Sequence, residues 1–494
     1  MRSLFVFIIS LVLFLSCSKE EKKKQQFNPT EKFTSELIEL KEYFQIPGLA
    51  ISIEKSQKNI YQKYLGVSDI EKQVKLDSTV LFPIASITKV FSGVLVLRLV
   101  EQGKLSLEDP INKYLTESTL LDSIKIKHVL SHTSQGKIGE NFYYSSRFGL
   151  LTNVIEKASG QSFATAMNEE ILVPLGLKNT FLLKDSAQIT EKKRILAKPY
   201  VFNNKIENGF IDSGYSSSAG IVSNLEDLSA FNKAIDDNKL ISEKSKKLIF
   251  SSIKKGLPYG YGIFNQELNG VKIVWAYGQY DCYSSLFLKV PSKNITLTIL
   301  ANNNLMSDAA RLIYGDASSS LFVLSFLKNY VFEYKDMDLF EKEDSITSFD
   351  LSTNEFYRKK ILAEALAESF MARFYSEKVQ SSSRLLERVF SEDPNYLKYA
   401  NLNLLHNLSF LKDVSFYKEL GEFNKFDSQI ENIGNKLISI DPENPYLHIY
   451  LGTYYSRKGD IKKAKFHFEN IVNTANFSKN WYTQEAQDWL NDNN

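Results

Sequence analysis

Cysteine is nearly absent from this chain of 494 residues: there are two, Cys17 and Cys282. Neither a disulfide framework nor a CxxC metal site can be built from them. Histidine is scarce as well, with His128, His132, His406, His448 and His467. Only His128 and His132 share a helical spacing, and the Glu that a metalloprotease helix places between such a pair is missing. Their setting, IKIKHVLSHTS, reads as a packed helix end. No charge of one sign dominates, the net being +2, and no basic stripe carries interleaved aromatics, which argues against nucleic-acid binding. Beyond the N-terminus no run is long and apolar enough to cross a membrane. What is there, 43% hydrophobic and 24% charged residues, is the balance of a folded protein. The length implies more than one domain.

The N-terminus carries Arg2, then an apolar run from Leu4 to Leu15, then Ser16-Cys17 and the polar SKEEKKKQQ. The run is too short for a permanent span. The pattern resembles a bacterial lipoprotein signal in which Cys17 becomes the acylated first residue. An ordinary cleaved signal with a chance cysteine is the alternative. The resemblance implies a lipid anchor in the bacterial cell envelope, periplasmic or at the cell surface, with the outer membrane as the expected site. Cys282 is then unpaired and reads as a buried structural thiol.

Periodicity divides the rest. Residues 1–17 are the signal and 18–32 a solvated tether. A helix from Phe33 leads to the strands LAISIEK and NIYQKYLGVSD; a long apolar helix, VFSGVLVLRLVEQ, closes at Gly103. Helical and irregular sequence follows to about Ile241, and then the strands GYGIFN, VKIVWAYG, SSLFLKV and ITLTILANN. Pro291-Ser292-Lys293-Asn294 joins the last two as a hairpin. A helix is expected from about Asp308 to Val331. Strands at both ends with helices between predict an α+β domain over 33–335, its antiparallel sheet assembled from both ends of the segment. Residues 336–355 turn charged and Ser/Thr/Asp-rich, a linker. Residues 356–494 are helical, and NPYLHIYLGTYYSRKGDIKKAKFHFENIV resembles a tetratricopeptide repeat. Leu451, Gly452 and Tyr455 lie on its first helix, Gly459-Asp460 in the turn, and Ala464 and Phe468 on the second. Degenerate neighbours imply a short α-solenoid, whose concave surface suits a protein partner.

Ser-x-x-Lys is a weak motif by itself, and the chain has several. Ser86 differs in its setting, at the mouth of the long buried helix after Phe82-Pro83-Ile84-Ala85. Free backbone N–H groups and the helix dipole favour an anionic centre there. Lys89, three residues on, shares its face. A lysine in an apolar site loses proton affinity and can serve as a base. A Ser-capped helix with a snorkelling lysine is the plainer alternative.

The run LFPIASITKVFSGVLVLRLVEQGKLSLEDPINKYL resembles the active-site helix and following segment of the β-lactamase-related serine hydrolases, a family of β-lactamases, D-Ala-D-Ala carboxypeptidases and esterases. IKIKHVLSHTSQG resembles the next family landmark, where Gly more often stands at Gln135. The resemblance spans about residues 33–330 and implies a β-lactamase/transpeptidase-like fold, an acyl-enzyme on Ser86 and no cofactor. Lys89 and Tyr144 become the expected proton-transfer groups, with Tyr143 the alternative to Tyr144. Ser146 replaces the Asn of the family's Tyr-x-Asn motif. The third motif falls on Ala276-Tyr277-Gly278, which keeps the glycine and loses the cation, so carboxylate-bearing substrates are expected to bind less well than neutral esters or amides. Trp275, Tyr277 and Tyr280 read equally as strand packing or as a cleft wall. The oxyanion donors are expected from the N–H groups of Ser86 and Gln279. The expected ligand is a small-molecule or peptide ester or amide. The rival reading is a catalytically weak relic serving as a lipid-anchored scaffold.

Overall fold

The computed structural model describes residues 28–117, 120–193, 195–341, 349–420 and 424–493. Cys17, the signal and most of the tether lie outside the described residues. Among the described residues, twelve strands form three sheets. The first eight are β1 (Gly48–Lys55), β2 (Lys58–Asp69), β3 (Val74–Lys75), β4 (Phe82–Pro83), β5 (Phe181–Leu182), β6 (Tyr200–Phe202), β7 (Ile206–Asn208) and β8 (Ile221–Ser223). The last four are β9 (Phe264–Leu268), β10 (Val271–Tyr280), β11 (Tyr283–Val290) and β12 (Ile295–Ala301). The main sheet runs β3-β2-β1-β12-β11-β10-β9, all antiparallel, and β1 meets β12 with Ile51 opposite Ile299. The sheet is thus closed by its two chain ends, as the strand order predicts. The turn after Pro291 holds Asn294 in the left-handed region that an Asn tolerates.

Alternation sorts the sheet's side chains onto two faces. Leu49, Ile51, Trp275, Leu286 and Ile299 face one core, and Ala50, Val274, Ala276 and Leu300 the other. The first face carries α1 (Pro29–Tyr43), which starts earlier than expected because Asn28 caps it and Pro29 needs no N–H partner. The second carries α2 (Thr88–Glu101) and the helical insertion. That insertion holds α3 (Ile126–Leu130), α4 (Leu151–Ser159), α5 (Phe163–Met167), α6 (Val173–Leu175), α7 (Ser186–Lys192), α8 (Leu225–Asp236) and α9 (Glu243–Ile249). Helix α2 is buried nearly all round, from Thr88 through Leu97, which explains its unbroken apolar sequence.

The single helix expected from Asp308 to Val331 is in fact α10 (Leu305–Asp308), two short 3₁₀ turns and α11 (Leu321–Tyr330). Left-handed Arg311 and Gly315 interrupt it.

The remaining helices are α12 (Glu355–Met371), α13 (Lys378–Glu392), α14 (Leu402–Tyr417), α15 (Asp427–Ile440), α16 (Pro445–Lys458), α17 (Ile461–Asn473) and α18 (Trp481–Asp492). They stack as a repeat-like solenoid. Gly452 lies so close to Phe468 that a Cβ there would sit 2.8 Å from its ring, and Gly434 meets Leu451 at 2.7 Å in the same way. In the stretch read as a linker, the described residues Met337, Leu339 and Leu351 are buried in the core that the two regions share. The inner helices α12, α14 and α16 lie against the sheet domain and share its core, so the surface expected to grip a partner is covered by the chain itself.

Candidate active site

Ser86 lies in a 3₁₀ turn, Ala85–Ile87, that runs directly into α2. Ala85 holds φ at 45°, a left-handed conformation costly for a residue with a Cβ. The strain turns the chain from β4 into the helix and leaves Ser86 half-buried, between buried neighbours. Lys89, 4% exposed, has Nζ 2.9 Å from Ser86 Oγ and 3.0 Å from the Ser218 carbonyl oxygen. It sits 4.9 Å from the Tyr144 ring centroid and 5.6 Å from that of Phe148. Among the described residues no carboxylate pairs with it within salt-bridge distance. Burial therefore lowers its proton affinity to about 7.

Tyr144 is half-buried among rings and stacks on His132 at 4.3 Å and on Phe264 at 5.8 Å. Burial pushes its phenol well above the usual range, and contact with Ser86 pulls modestly the other way. The hydroxyl is therefore neutral at physiological pH. Tyr143, its alternative, points elsewhere: its hydroxyl donates to Asp441 Oδ1 at 2.7 Å.

Strand β10 passes close to the turn that carries Ser86. A Cβ on Gly278 would fall 2.1 Å from the Ile84 carbonyl oxygen, so only glycine permits this approach. Gln279 follows on the strand. A cavity of about 330 Å³ opens at Ser86, lined by Tyr144, Tyr277, Gln279, Tyr280, Arg311 and the rim carboxylates Asp212 and Asp281, among others. The expected residues thus separate. Ser86, Lys89, Tyr144, Tyr277 and Gln279 come together, with Gly278 as the contact that brings the strand in. Ala276 is buried in the core on the α2 side of the sheet. Ser146 is corrected: it is exposed, in a different hollow beside Arg147, Phe477 and Lys479, because the 3₁₀ turn it opens points it there.

Three residues of the site were missed. Arg311 is a cation in the cavity, although position 276 supplies none; its Nε donates to His406 Nε2 at 3.2 Å and its guanidinium lies 3.2 Å from Asp308. No motif marks it. His132, read as packing, accepts the Ser145 N–H on Nδ1 at 3.0 Å, and its own carbonyl accepts the Tyr143 N–H at 2.9 Å. Burial and the nearby Lys89 hold its proton affinity well below the usual value, so it is a neutral brace for Tyr144. Ser218 contributes its backbone, and the only sequence signal was the small-residue run Ser216-Ser217-Ser218-Ala219-Gly220.

A family model described as Beta-lactamase matches residues 37–319. "Protein flp" of Staphylococcus aureus (strain MW2) is 27% identical over 305 residues, 52% of this chain and 60% of the relative. "Penicillin-binding protein 4*" of Bacillus subtilis (strain 168) is 23% identical over 316 residues, 53% of this chain and 70% of that one. The chain therefore spans 60% of the length of the Staphylococcus relatives it matches. The octameric penicillin-binding protein homologue from Pyrococcus abyssi superposes with a TM-score of 0.53 at 24% identity, covering 57% of this chain and 76% of that one, a likeness of fold.

Proposed function

The chain belongs to the Beta-lactamase family, and on that premise we propose that it is a serine hydrolase working through an acyl-enzyme on Ser86. One observation carries the reading. A lysine buried without a carboxylate partner and hydrogen-bonded to a serine is costly to the fold, and nothing in the packing of α2 requires it. In the mechanism, neutral Lys89 takes the Ser86 proton as Oγ attacks the carbonyl of an ester or amide. The negative charge of the tetrahedral intermediate rests on the N–H groups of Ser86 and Gln279. Neutral Tyr144 passes a proton to the leaving group and is reprotonated from Lys89. Water then attacks the acyl-enzyme, giving its proton back through the same pair, and Ser86 is released.

The cavity suits a small substrate rather than a polymer. Arg311 modifies the expectation drawn from Ala276: an ester or amide with a carboxylate directed at Arg311 belongs among the substrates, beside neutral ones. We place the protein at the bacterial cell envelope, held by lipid on Cys17. The scaffold reading is weakened because the inner layer of the solenoid is occupied.

The test is intact-mass analysis of the protein from Phe27 onward after treatment with a fluorophosphonate, beside Ser86→Ala. One stoichiometric adduct on the wild type and none on the variant is expected. A folded wild type that takes no adduct would end the hydrolase assignment.

A further inference from the structure

The segment that carries Tyr144, between the end of α3 and the turn at Ser146, has almost no regular structure of its own. Its inner face, with His132 stacked on Tyr144, meets Lys89 and Ser86. Its outer face is held by residues some three hundred positions later in the chain. Asp441 Oδ1 accepts from Asn141 Nδ2 at 2.6 Å and from the Tyr143 hydroxyl at 2.7 Å. Asn476 Nδ2 donates to the carbonyls of Ser134 at 3.3 Å and Gly136 at 3.1 Å. Arg147 donates to Asn476 Oδ1 at 3.0 Å, to the Asn476 carbonyl at 3.2 Å and to Ser478 Oγ at 3.0 Å. The Ser478 N–H donates to Gln135 Oε1 at 2.7 Å, and the Phe477 ring packs 5.0 Å from that of Tyr143.

Two features of the sequence gain a reason from this. Gln135, where the family more often has Gly, is the acceptor for the Ser478 N–H. Tyr143 and Tyr144 are neighbours on one strand of chain with their rings pointing opposite ways, so fixing Tyr143 from outside fixes Tyr144 inside. Proton transfer between Tyr144, Lys89 and Ser86 demands placement to within about half an ångström, which the segment's own few backbone bonds do not provide.

We propose that the solenoid's inner edge, Asp441 with the strap Asn476–Ser478, is a positioning element of the active site that holds Tyr144 in register with Lys89 and Ser86. The proposal rests on the hydrolase reading for its effect on rate, though not for its effect on the segment. In the full chain, Asp441→Ala and Asn476→Ala are compared with Asp441→Asn, which keeps the acceptor oxygen. The readouts are kcat and KM for p-nitrophenyl butyrate, the rate of fluorophosphonate labelling, and hydrogen exchange of residues 131–147. The alanine variants are expected to lose kcat and labelling rate by about 10- to 100-fold with KM little changed, and to exchange faster in that segment. Asp441→Asn restores both. Wild-type kcat in the two alanine variants overturns the proposal. If the wild type neither labels nor turns over, only the hydrolase reading falls, and exchange decides: faster exchange in the alanine variants with rescue by Asp441→Asn upholds the positioning, and unchanged exchange overturns it.

Discussion

On the proposed mechanism, Lys89 sets the pH behaviour of the site. Burial brings its proton affinity down to about 7, and only the neutral amine can accept the Ser86 proton. Fluorophosphonate labelling should therefore rise with pH through an inflection near 7 and level off above it; a flat profile would remove Lys89 as the base. The same shift bears on stability. Between about 7 and about 10.4 the unfolded chain binds a proton at this lysine that the folded chain does not, so stability rises with pH across that window. Below it both states are protonated and the cost of burial is present in full. Lys89→Met should abolish labelling while raising the thermal midpoint at about pH 6; a lower midpoint would make Lys89 a structural residue. His132 acts through Tyr144, so His132→Ala, which removes the acceptor for the Ser145 N–H and the ring beneath Tyr144, should lower kcat by about 10- to 100-fold with little change in KM. The Ser86–Lys89 pair was legible because both residues sit on one turn. Arg311 was not, because no local pattern brings it to Ser86.

Among the elements, the approach of β10 to the turn before α2 decides, on the proposed mechanism, whether the oxyanion donors stand together. Gly278→Ala would press a methyl into the Ile84 carbonyl. Strand and turn must separate, so labelling should slow by about 100- to 1,000-fold, as for loss of an oxyanion donor. Overpacking at this point should also cost about 1–3 kcal/mol of stability; a variant with wild-type labelling would show that the strand takes no part. The strands themselves follow from alternation and turn residues, and α2 from its apolar sequence. The break between α10 and α11 was hidden because Arg311 takes a left-handed conformation that its residue type does not announce.

At the scale of the molecule, Asp316 ties the two regions together. Its carboxylate accepts from Gln266 at 2.7 Å and Ser318 Oγ at 2.5 Å on the sheet side, and from Lys359 at 2.9 Å and Asn401 at 3.0 Å on the solenoid side. Burial alone would raise its pKa, but Lys359 and these hydrogen bonds outweigh it and bring it to about 2. Its contribution to stability is present above the unfolded value near 3.9 and is lost as pH falls towards 2. Asp316→Ala leaves Lys359 mostly buried and without its anion, a loss of about 3–5 kcal/mol. With one shared core, the wild type should unfold in a single transition in denaturant, the variant at a lower midpoint; two separate transitions would show that the regions fold independently.

The α+β order, the helical C-terminal region, the repeat's Gly452 and the Ser86–Lys89 face are properties of residues near one another in the chain, and the sequence by itself determined them through periodicity, turn chemistry and helical spacing. Which tyrosine faces Ser86, where Ser146 points, that a cation enters the cavity from position 311, and that loops of the solenoid reach the segment bearing Tyr144 are decided by contacts such as Tyr143 with Asp441 and Arg147 with Asn476. Those partners are about three hundred residues apart, beyond the reach of any local pattern, and only the docking of one packed layer on another brings them together.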